Sequence, residues 1–290
     1  MNKSTEIFET YRPGLFRLAY AMLKRVAPAE DAVQEAFLRW RKQDIEQIHS
    51  NQAYLSRIVS NICLDEIKSA RNRREQYIGP DLPEPLLAAG SETPEAKAEL
   101  AESLSMALLV VLEQLNPVQR AVFILREVFD YDYSSVAEII NKSESHCRKI
   151  AQRARESVQK KKPRFEKNTA EQRELVTTFI KAMQDGELTE VEGMLAEEAI
   201  LYSDGGGKVA AVRKPVAGAT KIAKFLTGIQ KGVTQALRVE FTDINGEPGM
   251  ITYLDEQLNN VWSFHIEDDK IQSIYVVLNP DKLEYLKHEL

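Results

Sequence analysis

The residues best suited to chemistry form a run of positive charge between Ser143 and Arg164. Eight lysines and arginines oppose two acids there, which gives the segment a net charge of +6. Guanidinium and ammonium groups bind nucleic-acid phosphates and displace their counterions. The segment therefore indicates a double-helical nucleic acid as partner. The cations are Arg148, Lys149, Arg153, Arg155, Lys160, Lys161, Lys162 and Arg164.

Two short helices must position these cations. Val136, Ala137 and Ile140 have helical spacing, and Asn141-Lys142 predicts a turn because Asn tolerates the left-handed conformation. A second helix follows, with one apolar face formed by Cys147, Ile150, Ala151, Ala154 and Val158. The pattern predicts a helix-turn-helix with a basic outer face. Exposed helices are often basic and helical hairpins are common, so a purely structural role stays open.

Residues for covalent chemistry or metal binding are sparse. Cys63 and Cys147 each fall on an apolar helical face without metal-ligand or CxxC spacing. We therefore expect no disulfide, no metal and no cofactor. No base stands at a recognisable spacing from a nucleophile, which disfavours an enzyme.

The charge is unevenly distributed along the 290 residues. Residues 1–75 and 100–165 each carry +3, whereas residues 76–99 carry −4 and residues 166–290 carry −8. A weakly basic half is thus hidden in a total of −6. No stretch approaches the roughly 18 apolar residues of a membrane span, and the start lacks the apolar core of a signal peptide. We expect a cytoplasmic protein.

The first 75 residues predict a compact helical domain. Phe8 to Leu23 has the periodicity of an amphipathic helix, and Ala29 to Trp40 forms a second. A third helix is expected from Ala53 to Ala70, followed by the basic cluster Arg71–Arg74. Three helices with apolar faces can bury one shared core.

Three stretches in the same order resemble one protein family. They are AEDAVQEAFLRW, AYLSRIVSNICLDEIKSARNRRE and the helix-turn-helix. They resemble regions 2 and 4 of the extracytoplasmic-function (sigma-70 family) RNA polymerase sigma factors. The resemblance implies a protein that directs core RNA polymerase to promoter DNA and opens it, without a membrane partner.

The resemblance implies three sets of contact residues. Docking on the clamp helices of the polymerase β′ subunit falls on Asp31, Gln34, Glu35 and Arg39. Reading and melting of the −10 element falls on Asn61, Asp65, Lys68, Arg71, Asn72 and Arg73. Reading of the −35 element falls on Ser145, His146, Arg148, Lys149 and Gln152, with Arg153 and Arg155 on phosphates. For the acidic helix the alternative is an ordinary solvated face. For Arg71–Arg74 it is a basic helix end favoured by the helix dipole.

Residues 76–99 hold four prolines, two glycines and an acidic excess, which predicts an extended, mobile connector. Leu82-Pro83-Glu84-Pro85 resembles the linker motif of a sigma subgroup with a fused carboxy-terminal SnoaL-like domain. A tryptophan usually precedes that motif, whereas Asp81 stands here. Two further motifs resemble the same subgroup, namely Asp204-Gly205-Gly206-Gly207-Lys208 and Asn279-Pro280-Asp281-Lys282-Leu283. The resemblance implies that all three motifs form regulatory contacts between the linker and the carboxy-terminal domain. The first lacks the GxxxxGK[ST] spacing of a phosphate-binding loop.

Residues 166–290 predict an α+β domain. Helices precede a series of β-branched, alternating strands, with turns expected at Asn245-Gly246, Asn259-Asn260 and Asp268-Asp269. This order is similar to the SnoaL-like, nuclear-transport-factor-2-like cone. That fold class includes enzymes that use a pocket His or Asp as general acid or base, and the resemblance makes Tyr202, Asp204, Trp262 and His265 the candidate pocket residues here. A regulatory role for this domain is the simpler expectation, and a small-molecule ligand is left open.

The expected architecture is thus multidomain. Residues 1–75 form sigma region 2, residues 76–99 the linker, and residues 100–165 the helix-turn-helix of region 4. Residues 166–290 form the regulatory cone. The alternative is a ligand-responsive helix-turn-helix regulator with a small-molecule-binding or catalytic cone. That alternative has no need of the AEDAVQEAF helix or of the Arg71–Arg74 cluster.

Overall fold

The computed structural model describes residues 3–74, 77–87, 104–159, 169–230 and 236–288. The chain divides into two compact units. The first comprises Met1–Gln76 with Leu109–Lys162, and the second comprises Tyr77–Leu108 with Pro163–Leu290. We describe each unit separately.

The amino-terminal part of the first unit is a three-helix bundle. Its helices are α1 (Lys3–Leu23), α2 (Val26–Trp40) and α3 (Asn51–Arg74), with a short 3₁₀ turn at Ile45–Gln47. The Trp40 indole is fully buried and donates to the carbonyl of Ser4, which ties α2 to the start of α1. Helix α3 continues through the Arg71–Arg74 cluster, which the sequence placed beyond the helix. Arginine is a good helix former, so the last turn needs no break.

Four further helices follow, and the boundary between the two units falls within the first of them, α4 (Met106–Leu112). The others belong to the first unit and are α5 (Pro117–Phe123), α6 (Tyr133–Ile140) and α7 (Glu144–Gln159), with a π-helical turn at Ile124–Val128. Asn116 and Gln119 form a reciprocal capping box, and Pro117 takes the first helical position of α5. Helices α6 and α7 are the two arms of the predicted helix-turn-helix.

The turn between α6 and α7 follows the prediction. The Asp132 carboxylate accepts from the Ser135 amide at 2.7 Å and caps α6. Asn141 ends that helix in the left-handed conformation, with φ of 53°. The Ser143 hydroxyl accepts from the His146 amide at 3.3 Å, at the start of α7. The helix-turn-helix is therefore confirmed.

The second unit is built on a six-stranded sheet of order β2-β1-β6-β5-β4-β3. Strands β1 and β6 are parallel and every other neighbouring pair is antiparallel. The strands are β1 (Leu195–Asp204), β2 (Val216–Ala217), β3 (Leu237–Ile244), β4 (Glu247–Leu254), β5 (Gln257–Glu267) and β6 (Lys270–Val277). Helices α8 (Thr169–Asp185), α9 (Leu188–Met194) and α10 (Ala219–Gln230) pack on one face, and α11 (Pro280–Leu283) follows β6. We call this sheet with its helices the cone.

Two of the three predicted hairpin turns are confirmed and one is wrong. Asn245-Gly246 and Asp268-Asp269 both turn with positive φ. Asn259-Asn260 instead lies inside β5, and the turn falls at Asp255-Glu256, with φ of 48° and 62°. Aspartate also tolerates the left-handed region, and Asn260 accepts from the Thr252 hydroxyl at 2.7 Å within the sheet.

Candidate nucleic-acid and protein interfaces

Helix α7 turns its apolar face inward and its polar face to solvent. Cys147, Ile150 and Ala154 are buried, as the spacing requires. The outward residues Ser145, His146, Arg148, Lys149, Gln152 and Arg153 are all exposed. Lys160, Lys161, Lys162 and Arg164 lie outside the described residues. The amino-terminal half of α7 thus presents donors and cations on one surface.

Ion pairs already engage part of this surface. Arg148 reaches Glu144 at 3.2 Å, and its guanidinium lies 4.4 Å from the centre of the Tyr133 ring. Arg155 is half-buried, and its hydrogen bond to Glu127 at 2.9 Å raises the pKa of the guanidinium. Among the described residues, no acidic side chain pairs with Lys149 or Arg153. These two cations are therefore well placed to contact DNA.

Helix α3 carries a second exposed polar face. Asn61, Asp65 and Lys68 recur at helical spacing and all are exposed. Lys68 pairs with Asp65 at 2.9 Å. For Arg71, Asn72 and Arg73 the structure describes the helical backbone at the end of α3.

Helix α2 carries a third exposed face. Asp31 and Gln34 are exposed and Glu35 is half-buried. Arg39 lies beside them and pairs with Glu35 at 2.8 Å. Sequence reasoning missed Leu38, which is 45% exposed and falls on the same face. Its spacing of three and four residues from Glu35 and Gln34 was the available signal.

The predicted linker motif lies against the cone and is buried. Leu82, Pro83, Glu84 and Pro85 are all buried, whereas the composition predicted an extended, mobile connector. We call residues 77–87 the connector. Proline lowers the entropy lost when such a segment is ordered, so a proline-rich connector can also dock.

Asp204 anchors the connector at the end of β1. Its carboxylate is fully buried and accepts from the Tyr77 hydroxyl at 2.6 Å and from the Leu82 amide at 3.0 Å. It also accepts from Gly206 N at 3.0 Å and from Lys282 Nζ at 2.7 Å. Burial raises the pKa of the Tyr77 hydroxyl, and its bond to Asp204 adds to the rise, so Tyr77 stays a donor.

Lys282 of α11 binds the same Asp204 carboxylate. It is 1% exposed and contacts the Asp81 carboxylate and the Leu82 carbonyl in addition to Asp204. Asp81, which stands in place of the usual tryptophan, therefore gains a charged partner. We call Asp81, Asp204 and Lys282 the latch.

The glycine loop after β1 packs and does not resemble a phosphate cradle. Gly206 has φ of 61°, and a Cβ there would collide with the Asn279 side chain. A Cβ at Gly205 would meet Val209, and one at Gly207 would meet Ile78. Lys208 is exposed and pairs with Asp281 at 2.6 Å. The two motifs of the second unit thus contact each other at the connector.

A second anchor holds the connector at the β3–β4 turn. Asn245 Oδ1 accepts from the Leu86 amide at 3.1 Å, and the Asn245 amide donates to the Leu86 carbonyl at 2.8 Å. Its side-chain nitrogen donates to the Leu104 carbonyl at 3.2 Å. Leu87 forms an antiparallel bridge with Ile244. Asn245 was predicted only as a turn residue, because these contacts join positions far apart in sequence.

The candidate pocket residues of the cone do not converge. Trp262 belongs to the core beneath the helices, whereas His265 is outside that core and lies 3.6 Å from Glu247. Alternation along β5 places these two side chains on opposite faces of the sheet. Tyr202 stacks on Tyr275, and Asp204 is engaged by the connector.

Comparison with known proteins identifies the two helical regions and the family. The family model described as Sigma-70 region 2 matches residues 7–73, and the one described as Sigma-70, region 4 matches residues 105–158. The ECF RNA polymerase sigma factor SigJ of Mycobacterium tuberculosis is 33% identical over 287 residues, covering 95% of this chain and 91% of SigJ. The chain belongs to the ECF sigma factors.

Two further comparisons extend over the whole of this sigma factor. The probable ECF sigma factor SigI of M. tuberculosis is 29% identical over 290 residues, covering 98% of this chain and 96% of SigI. The crystal structure of M. tuberculosis SigJ matches with a TM-score of 0.79 and 30% identity, covering 97% of this chain and 98% of that one. The fold of the sigma factor, including its cone, is thereby confirmed.

Region 2 of this sigma factor corresponds to α1–α3 and region 4 to α4–α7. As a sigma factor it binds core RNA polymerase and promoter DNA, and the alternative of a polymerase-independent regulator is not favoured. Within the described residues, no helix of the sigma factor is long and apolar enough to cross a bilayer.

Proposed function

We propose that α2 docks this sigma factor on the clamp helices of the polymerase β′ subunit. The support is the single face formed by Asp31, Gln34, Glu35 and Leu38, with Arg39 at its border. An exposed leucine surrounded by polar groups has the composition of an interface anchor with a hydrated rim. This face is the observation that carries the proposal, because a simple DNA-binding regulator has no use for it.

Reversing the charge of Glu35 tests this face. Glu35→Lys is expected to weaken core binding by roughly tenfold or more, because it removes an acid and adds repulsion at the interface. Leu38→Asp should act in the same direction. The measurement is the dissociation constant for purified core polymerase, with Glu46→Lys as an exposed charge-reversal control. Equal affinities of Glu35→Lys and Glu46→Lys would contradict the assignment.

The two other faces are assigned to the promoter. We place α7 in the major groove of the −35 element, with Arg153 and Arg155 on phosphates; its proposed base-reading residues are Ser145, His146, Arg148, Lys149 and Gln152. The exposure of the amino-terminal half of α7 supports this assignment. We assign the −10 element to α3 through Asn61, Asp65 and Lys68, together with Arg71, Asn72 and Arg73. A polar face beside cations suits an unpaired base and a single-strand backbone.

The cone is proposed to regulate these faces through the connector. Its support is the set of buried polar contacts at the latch and at Asn245, which fix residues 77–87. We propose that the cone performs no covalent chemistry, because Asp204 is occupied and Trp262 and His265 lie on opposite faces. A cleft of about 440 Å³ between α8 and β3–β4, crossed by the Arg173–Asp243 ion pair, is the candidate place for a small ligand.

A further inference from the structure

One stretch of the cone carries only positive charge. Residues 205–236 contain six lysines and arginines and no acid, which gives the stretch +6. Since residues 166–290 carry −8 in total, the rest of that range carries −14. This segregation gives an acidic domain one surface that attracts anions. Lys208 pairs with Asp281, and Lys231 lies outside the described residues. The other four cations are Arg213, Lys214, Lys221 and Lys224.

The structure places these four cations at the β2 edge of the cone. Arg213 and Lys214 precede β2, which is the last strand at one end of the sheet. Gly218, with φ of 99°, then turns the chain from β2 into α10. Lys221 and Lys224 follow on α10 at a spacing of three residues, which puts them on one helix face. All four cations are exposed, and we call them the basic edge.

Within the described part of the chain, no acidic side chain pairs with the basic edge. The Glu192 carboxylate of α9 lies beside α10, but it accepts from the Thr220 hydroxyl at 2.5 Å. At the opposite end of the sheet, β3 carries Glu240 and Asp243. The basic edge is thus the side of the cone whose charge is not balanced by the protein itself.

The loop before β2 is held against the rest of the cone. At its start, the amides of Lys208 and Val209 donate to the Gly205 carbonyl at 3.0 and 3.2 Å. At its end, β2 pairs with β1. A Cβ on Gly79 of the connector would lie 3.7 Å from Arg213 Cα, so the loop packs closely on the connector. Cations on an ordered loop lose less conformational entropy when they bind a partner.

The chain itself keeps this edge within reach of promoter DNA. Nine residues, 160–168, join Gln159 at the end of α7 to Thr169 at the start of α8. A chain spans at most about 3.4 Å per residue, so in any arrangement of the two units these ends lie within roughly 35 Å. A body of about 120 residues is itself roughly 35 Å across. With α7 on the −35 element, the basic edge therefore lies within roughly 70 Å of it, or about 20 base pairs.

We propose that the basic edge is a second DNA-binding surface, which contacts phosphates beside the −35 element without reading their sequence. Four cations without acidic partners can displace the counterions of a duplex, which is the main source of non-specific affinity. The inference rests on the proposed assignment of α7 to the −35 element, because α7 brings the cone to the duplex. An acidic protein surface would also attract these cations, but a duplex is the anion that α7 already holds within their reach.

Two duplexes of different length test the proposal with the full-length chain. One contains only the −35 element, and the other adds about 20 base pairs of unrelated sequence on each side. We expect the parent chain to bind the longer duplex about tenfold or more tightly. Replacing the basic edge should remove most of this gain and lower the salt slope on the longer duplex by about 3–4, while the affinity for the short duplex stays unchanged. The variant is Arg213→Gln/Lys214→Gln/Lys221→Gln/Lys224→Gln, measured by fluorescence anisotropy at several salt concentrations.

Four exposed cations elsewhere in the cone give a control of equal charge. All eight positions are exposed, so both variants should keep the fold. The control should bind the longer duplex as tightly as the parent chain does. An equal loss in both variants would show that only the net charge of the cone matters, which overturns the proposal. The control variant is Arg173→Gln/Lys181→Gln/Arg238→Gln/Lys287→Gln.

The remaining outcomes separate the basic edge from the assignment of α7. A parent chain that binds both duplexes equally, or a basic-edge variant that keeps the gain, would overturn the second surface and leave α7 in place. A parent chain that fails to bind the short duplex would overturn the assignment of α7, and this proposal with it. A basic-edge variant that binds both duplexes like the parent but binds core polymerase more weakly would identify a protein partner instead, and DNA would be the wrong occupant.

Discussion

Replacing Lys282 with methionine is expected to destabilise the second unit by about 3–5 kcal/mol in the free energy of unfolding. The substitution keeps most of the side-chain volume but leaves the fully buried Asp204 and the partly buried Asp81 without their ammonium partner. Two carboxylates close together then repel each other in a poorly solvated site. Denaturant unfolding of the full chain measures the loss, and hydrogen exchange at residues 77–87 measures release of the connector.

Lys208→Met is the matched control for this substitution. Lys208 also pairs with an aspartate of the second motif, but its side chain is 54% exposed and that of Asp281 is 56% exposed. A solvent-exposed pair contributes about 0–1 kcal/mol, so this variant should stay close to the parent protein. The same loss of stability in both variants would show that burial of the latch does not matter. If Lys282→Met changes transcription and Lys208→Met does not, the connector is a regulatory contact as proposed.

Replacing Lys149 with alanine is expected to weaken binding to a −35 duplex by roughly 5- to 100-fold, corresponding to about 1–3 kcal/mol. Lys149 has no acidic partner among the described residues. Its removal therefore costs a contact with DNA without breaking an ion pair within the protein. Arg148→Ala should also weaken binding, but by less, because the Glu144 ion pair of Arg148 competes with its contact to DNA. Fluorescence anisotropy at several salt concentrations measures both affinity and its salt slope.

Lys181→Ala, on the exposed side of α8 in the cone, is the control for removal of one positive charge. It should change neither the affinity nor the salt slope. If Lys149→Ala and Lys181→Ala bind the −35 duplex equally well, α7 is not the recognition helix.

The helices of both sigma regions were readable from the sequence because their periodicity is local. Asp132 and Ser143 cap the starts of the two helices, and Asn141 ends the first one in the left-handed conformation, as their residue types favour. Local rules failed where two choices were chemically equal. Asn259-Asn260 and Asp255-Glu256 are both plausible turns, and only the pairing of β4 with β5 decides between them.

The residue pairs of the latch and the second anchor could not be predicted from one sequence, although the resemblance marked Leu82, Asp204 and Lys282 as contact residues. Lys282 meets Asp81 across 201 positions, and Asn245 meets Leu86 across 159. Periodicity contains no information about such pairs. The family resemblance noted Asp81 only as a departure from the usual tryptophan, and it pointed to neither Tyr77 nor Asn245 as a contact. Leu38 is different, since its helical spacing from Gln34 and Glu35 was visible from the start.

The central claim is that this chain directs core RNA polymerase to a promoter through α2, α3 and α7. The most direct test is run-off transcription with the purified chain, core polymerase and the promoter upstream of its own gene. We expect a transcript with a defined start that requires the chain and is lost with Glu35→Lys, but not with Glu46→Lys. A chain that binds this DNA yet leaves the core enzyme without a defined start would contradict the account.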